Sequence, residues 1–281
     1  MIRALKDRVI RRAARSYVAG PELEDALRIC RVLDNEGMAI TACYWDDGAE
    51  PPSGVADQYR RLLAAADGEP FSDFYLSVKA PALARDAGLV RDLADESAAR
   101  GRRLHFDSLS PETADATFAA VEQALERGGA VGCTLPASWR RSAADCNRAL
   151  ALDVSVRVVK GQWPEPGQRD SDTRRAFLHL IDLLAGAARS VAVATHDRRL
   201  AVEALARLRA AGTPCELELL YGLPSRALVA EARASDLPVR AYVPYGHAWL
   251  PYAARRAERN PRLLLHLLHD AVRVRKGRWP S

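Results

Sequence analysis

The sequence predicts an α/β protein, specifically a (β/α)8 TIM-type barrel with extra N-terminal helices, on three observations. Eight short β-like runs rich in Val, Leu and aromatic residues recur along the chain. Segments of helical period separate them, so β and α elements alternate over about 200 residues, as parallel strands joined by right-handed helical crossovers require. No GxGxxG opens the first βα unit, which leaves a doubly wound open sheet without its usual signature.

Taken in order, residues 1–36 carry two helical segments expected to pack outside or beneath the barrel, and 37–281 form the barrel with C-terminal helices. The expected strands are Met38 to Tyr44, Phe74 to Lys79, Arg103 to Asp107, Ala130 to Leu135, Val154 to Val159, Val191 to Thr195, Cys215 to Leu220 and Val239 to Val243. The expected helices between them are Val55 to Ala66, Ala82 to Arg100, Glu112 to Arg127, Ser142 to Leu152, Thr173 to Arg189, Arg199 to Ala211 and Ser225 to Ser235. Ser110-Pro111-Glu112-Thr113 supplies a start signal, with Ser as N-cap and Pro at the first helical position. No internal repeat or linker interrupts the series.

Strand alternation sorts the side chains, because successive residues face the interior and the helix layer in turn. Leu76 and Val78 oppose Ser77 and Lys79; Leu104 and Phe106 oppose His105 and Asp107; Val154, Val156 and Val158 oppose Ser155 and Arg157; Leu217 and Leu219 oppose Glu216 and Glu218. With the apolar parity against the helices, Lys79, Asp107, Arg157, Glu218 and Tyr242 face inward near the C-terminal strand ends, where barrel active sites lie. Charged residues at such positions also occur as buried networks without catalysis. Their convergence from several strands favours a site, since Val, Ile and Leu fill a barrel at lower desolvation cost.

Composition excludes several classes. The 281 residues are 48% hydrophobic and 27% charged with net charge +5, a balance unlike that of disordered or membrane chains. Charges interrupt every apolar stretch before the roughly 20 residues of a membrane helix, and no apolar leader opens the chain. Five cysteines, without a CxxC pair, fit a reduced cytoplasmic protein. No metal motif is present, and His266 and His269 read as one helix face rather than metal ligands. Arg273, Arg275, Lys276 and Arg278 form a short basic run without a nucleic-acid motif and read as solvated. The segment from Arg3 to Arg15 reads as packing on the barrel, with peripheral contact at the inner membrane face as the alternative.

Of the four lysines, Lys79 and Lys160 close apolar β-like runs. Arg157-Val158-Val159-Lys160-Gly161-Gln162-Trp163 places two cations and a glycine at a strand exit, suited to an anion or a phosphate-bearing cofactor. Ala194-Thr195-His196-Asp197 brings polar groups to the next exit. After the eighth strand, Tyr252 lies three and four residues from Arg255 and Arg256, so phenol and guanidinium can share a helix face, and the adjacent arginines read either as a solvated pair or as a carboxylate clamp.

These motifs resemble the proline dehydrogenases, flavin enzymes on a (β/α)8 barrel, from about Phe74 to Pro261. The family runs Arg-Leu-Val-Lys-Gly-Ala-Tyr, Ala-Thr-His-Asn and Glu-Phe-Gln-Met-Leu-Tyr-Gly correspond to 157–163, 194–197 and 216–222. Tyr-Val-Pro-Tyr-Gly and Trp-Tyr-Pro-Tyr-x-x-Arg-Arg correspond to 242–246 and 249–256. The resemblance implies oxidation of L-proline to 1-pyrroline-5-carboxylate, with hydride passed to FAD and then to an acceptor such as a quinone. It implies Asp107 and Arg157 as catalytic-site residues, and Lys79, Leu220, Tyr242, Tyr252, Arg255 and Arg256 around the substrate. It implies Ser108, Arg157, Lys160, Gly161, Gln162, Trp163, Thr195, His196, Asp197 and Glu218 at FAD.

The chain departs from the family pattern at Pro136-Ala137-Ser138, which stands for Gln-Ala-Tyr, at Ser108-Leu109, which stands for Met-Glu, and at Trp163, Asp197, Glu218 and Glu258. Two other readings therefore stand beside the first: a flavin dehydrogenase of another cyclic or N-alkylated amino acid, and a barrel that binds flavin or an amino acid without turnover.

Overall fold

The computed structural model describes residues 18–46, 48–83, 86–161, 173–223 and 225–246. Its eight strands are β1 (Ala39–Trp45), β2 (Phe74–Val78), β3 (Arg103–Phe106), β4 (Val131–Pro136), β5 (Ser155–Val159), β6 (Val191–Ala194), β7 (Cys215–Leu220) and β8 (Val239–Gly246). They close in sequence order into a barrel, every neighbouring pair parallel, with Ala39↔Arg240 through Trp45↔Gly246 sealing β1 to β8.

Seven helices lie between strands: α2 (Pro52–Asp67), α3 (Ala87–Ala99), α4 (Ala114–Leu125), α5 (Ser142–Ala151), α6 (Thr173–Leu184), α7 (Arg198–Ala210) and α8 (Arg226–Ala234). Before them α1 (Leu23–Asn35) packs over the β8–β1 seam. The other expected N-terminal helical segment lies outside the described residues.

Two helix ends differ from expectation for local reasons. The segment expected as one helix from Ala82 is a 3-10 turn at Ala80–Leu83 followed by α3, because the Asp86 carboxylate accepts the Gly88 and Leu89 N–H groups and starts a new helix there. Helix α6 stops at Leu184 rather than Arg189, because Gly186 takes φ +77 and turns the chain into a left-handed cap.

The core lies between sheet and helices. Leu76, Val78, Leu104, Phe106, Val156, Val158, Leu217 and Leu219 are all buried on the outward parity of their strands, each such side chain contributing roughly 1.5 to 3 kcal/mol through water exclusion. Arginines join neighbouring helices on the outside: Arg60 pairs with Glu96 at 2.9 Å, Arg127 with Asp95 at 2.6 Å and Arg207 with Asp182 at 2.8 Å. Exposed pairs of this kind are worth at most about 1 kcal/mol each. Among the described residues no helix is long and apolar enough to cross a membrane.

Candidate active site at the barrel mouth

The inward parity holds a polar interior centred on Arg157 of β5. Its Nε–H donates to Glu218 Oε2 at 2.7 Å and Nη2 to Glu218 Oε1 at 2.8 Å, a two-pronged bond. Nη2 also donates to the Tyr75 hydroxyl at 3.2 Å. Nη1 donates to Asp107 Oδ1 at 2.6 Å and reaches Ser77 Oγ at 3.2 Å and Thr134 Oγ1 at 3.3 Å. A guanidinium carries five N–H donors, and every one here has an acceptor inside the barrel. The side chains of Arg157 and Glu218 are 3% and 1% exposed, so water does not compete. Burial alone would disfavour the cation, but Glu218, Tyr75 and Asp107 outweigh it and hold its pKa well above the ordinary arginine value.

Asp107, just past β3, is fixed from four sides. Besides Arg157 it accepts Ser77 Oγ at 2.9 Å, Thr134 Oγ1 at 3.4 Å and the Tyr242 hydroxyl at 2.7 Å. Burial and the Asp107 charge push the Tyr242 phenol well above its usual pKa, so it stays a donor. The Trp45 indole N–H reaches the same hydroxyl at 3.4 Å. The buried Cys43 thiol lies 4.0 Å from Asp107 and is pushed up to about 11, chiefly by burial, which keeps it protonated.

Lys79 shares the inward parity but does not pair with Asp107, as its place on the neighbouring strand invites one to expect. Its ammonium stands 4.8 Å from the Trp45 ring centroid, while the ion-pair partner of Asp107 is Arg157.

A second charged layer lies below. Arg240, 1% exposed, donates to Glu216 Oε1 at 2.8 Å, to the Ile40 carbonyl at 2.9 Å and to Asp73. The Tyr75 ring joins the layers, 4.3 Å from the Arg240 guanidinium and 5.9 Å from that of Arg157. His105 packs edge-close to Gly132 and bonds through Nε2 to Thr134 Oγ1 at 3.0 Å. Burial, then Arg157, Arg103 and Arg240, holds it neutral, well below the usual histidine pKa. Sequence reasoning passed over Tyr75, Thr134, Cys43 and Arg240, although strand parity marks each of them as inward.

The β5–β6 side of the mouth carries the remaining candidates. Lys160 Nζ pairs with Asp197 Oδ2 at 2.9 Å, both about two-fifths exposed. Asp197 also caps α7 by accepting the Leu200 N–H; burial opposes its ionisation, but Lys160 and that N–H outweigh it and lower its pKa. Thr195 Oγ1 accepts the Asp197 N–H at 3.2 Å, and His196 accepts the Leu220 N–H on Nε2 at 3.0 Å, leaving Nδ1 to carry the proton in the neutral ring. Leu220 thereby sits at the end of β7, in register with Tyr242.

Gly161 takes φ +88, and a Cβ there would stand 2.1 Å from Ser138 Oγ. That hydroxyl is buried and has no hydrogen-bond partner. Ser108 donates to the Thr134 carbonyl at 2.5 Å. Gln162, Trp163, Tyr252, Arg255 and Arg256 lie outside the described residues, as do Glu258 and the basic run at 273–278. Among the described residues no group of His, Cys, Asp or Glu could hold a metal.

A closed parallel barrel that gathers Asp107, Arg157, Glu218 and Tyr242 near the C-terminal strand ends is a (β/α)8 barrel with a candidate active site where such barrels carry theirs. No family model matches the sequence. Among curated proteins, proline dehydrogenase 1 of Bacillus subtilis subsp. natto is 27% identical over 270 residues, covering 89% of this chain and 88% of the relative. Proline dehydrogenase of Deinococcus radiodurans is 26% identical, covering 89% and 86%. Proline utilization A from Bdellovibrio bacteriovorus, in a structure inactivated by N-propargylglycine, superposes with a TM-score of 0.77 at 17% identity over 87% of this chain. This chain spans 32% of that one. Over most of its length the chain is thus similar to curated proline dehydrogenases at 23 to 27% identity.

Proposed function

We propose that this chain oxidises L-proline to 1-pyrroline-5-carboxylate with FAD as cofactor and a quinone as onward acceptor. The observation that supports it most is the Tyr242–Asp107–Arg157–Glu218 set at the strand ends, on the same positions that carry the sequence motifs.

Two features of the mouth fit FAD. The buried, unpartnered Ser138 hydroxyl beside Gly161 suits a polar ligand atom. Past the ends of β5 and β6, Thr195 and His196 add a hydroxyl and an imidazole to the Lys160 ammonium, which Asp197 holds. Gln162, Trp163, Ser108, Asp197 and Glu218 complete the residues assigned to FAD. When bound, FAD accepts the two electrons that leave the ring carbon next to nitrogen as a hydride.

The protein residues supply alignment and charge. Arg255 and Arg256, with Lys79, hold the substrate carboxylate in planar and point-charge contacts. Tyr242, Tyr252 and Leu220 wall the pyrrolidine ring and exclude water. Asp107 fixes the Tyr242 ring through Oδ2, and its negative charge favours the positive charge that develops at nitrogen as the hydride departs. Arg157 acts through Asp107 as a positioning residue, since its own donors are taken. The cyclic iminium then loses its nitrogen proton to solvent.

An absorbance scan tests the reading. Purified protein is expected to be yellow, to release FAD on denaturation and to bleach when proline is added. A colourless protein that gains no flavin spectrum with added FAD overturns it. Flavin bleached by an N-alkylated amino acid but not by proline replaces the substrate while keeping the chemistry.

A further inference from the structure

Two carboxylates at the mouth close on two cations. Glu218 takes the Arg157 guanidinium in two parallel bonds of 2.7 and 2.8 Å, and Asp197 takes the Lys160 ammonium at 2.9 Å. With Asp107 on Arg157 as well, carboxylates outnumber cations in this group by three to two. The two pairs differ in setting. Glu218 is inside the barrel, where charge is weakly screened, whereas Asp197 is about two-fifths exposed and open to salt.

Isosteric amides separate charge from shape. A Gln at 218 keeps one acceptor oxygen but sets an NH2 against the guanidinium, so one arginine N–H loses its partner and one negative charge disappears. Arg157 keeps Asp107 at 2.6 Å, so no unpaired cation is buried. An Asn at 197 still caps α7, a role Asn fills as well as Asp, but releases Lys160.

We propose that Glu218 and Asp197 are positioning residues that hold Arg157 and Lys160 on the protein and match their charge, so that neither stabilises negative charge on a reduced cofactor. The inference rests on the FAD reading above. An uncharged oxidised flavin is then held in preference to an anionic reduced one, and the bound cofactor has a low reduction potential, which favours passing electrons onward.

The test measures FAD affinity by flavin fluorescence quenching, and midpoint potential by dye equilibration, for wild type, Glu218→Gln and Asp197→Asn. Circular dichroism checks that each is folded. Glu218→Gln is expected to raise the affinity for reduced relative to oxidised FAD about tenfold, an upward shift of about 30 mV for a two-electron couple. Asp197→Asn is expected to raise it less, and only below about 0.1 M salt. If Glu218→Gln does not fold, Asp197→Asn at low salt decides.

An FAD-loaded wild type whose potential neither variant moves overturns the inference and leaves the functional reading standing. A wild type that takes up no FAD overturns the functional reading and, with it, the inference. Failure of all three folded proteins to bind FAD overturns both.

Discussion

Replacing Asp107 by Ala and by Asn separates its charge from its hydrogen bonds. The carboxylate accepts Arg157 Nη1 at 2.6 Å, Ser77 Oγ at 2.9 Å and the Tyr242 hydroxyl at 2.7 Å. Asp107→Ala removes these acceptors, but Arg157 keeps both oxygens of Glu218, so the cation is not stranded. The loss is then chiefly two bonds to a charged acceptor, those from Arg157 and Tyr242, at about 1.5 to 3 kcal/mol each. A destabilisation of about 3 to 6 kcal/mol follows. Asp107→Asn keeps an oxygen for Arg157 and the shape of the side chain, so about 1 to 2 kcal/mol is expected. Urea unfolding at pH 7 measures both. Turnover per folded, flavin-loaded molecule should fall at least about tenfold in each variant, because the missing charge corresponds to more than about 1.4 kcal/mol of transition-state stabilisation. Equal stability of the two variants would refute the hydrogen-bond accounting, and wild-type turnover in Asp107→Asn would withdraw the role given to the charge.

His105 gives a pH signature: burial and the nearby arginines hold its folded pKa well below 6.5, so only the unfolded chain takes up its proton as pH falls below that value. Stability is therefore lost on acidification, by about 2 kcal/mol between pH 7.5 and 5, and the urea midpoint of His105→Gln should fall correspondingly less over that range; parallel profiles exclude a buried neutral histidine. Arg255→Lys or Arg256→Lys should weaken proline binding by about 1.5 to 3 kcal/mol with normal flavin content, and an unchanged KM in both removes them from the site. Gly161→Ala should lower stability by more than about 1 kcal/mol, since a left-handed backbone and the Ser138 hydroxyl 2.1 Å away both oppose a methyl group. Ser138→Ala in the same chain should restore part of the melting temperature, and no restoration rules out the close approach as the cause.

Strand parity was readable because a side-chain period of two is a property of the backbone itself. It identified Lys79, Asp107, Arg157, Glu218 and Tyr242 as inward, and the last four are joined by hydrogen bonds. Partner choice was not readable, because it depends on strand tilt. Asp107 follows β3 directly, while Arg157 and Glu218 lie on β5 and β7, and side chains from alternate strands share a layer in such barrels. Lys79, on the strand next to Asp107, turns instead to the Trp45 ring. Helix ends were also missed where a single side chain, the Asp86 cap, or a left-handed Gly186 overrode the helical period. The bond between Lys160 and Asp197 joins groups 37 positions apart in the chain, a pairing no local pattern contains.

The stretch just before α1 binds the far end of β8: the Ala19 N–H donates to the Pro244 carbonyl at 2.9 Å, the Gly246 N–H donates to the Gly20 carbonyl at 3.0 Å, and Val18 packs with Cys43, Trp45 and Tyr242. Residues translated early are thus held by a strand translated more than 200 positions later. During synthesis α1 has only β1 to rest on, with the other half of its seat missing until β8 emerges from the ribosome. The seam is consequently the part of the nascent barrel that waits longest with apolar surface uncovered, and the part whose closure carries the largest loop-entropy cost.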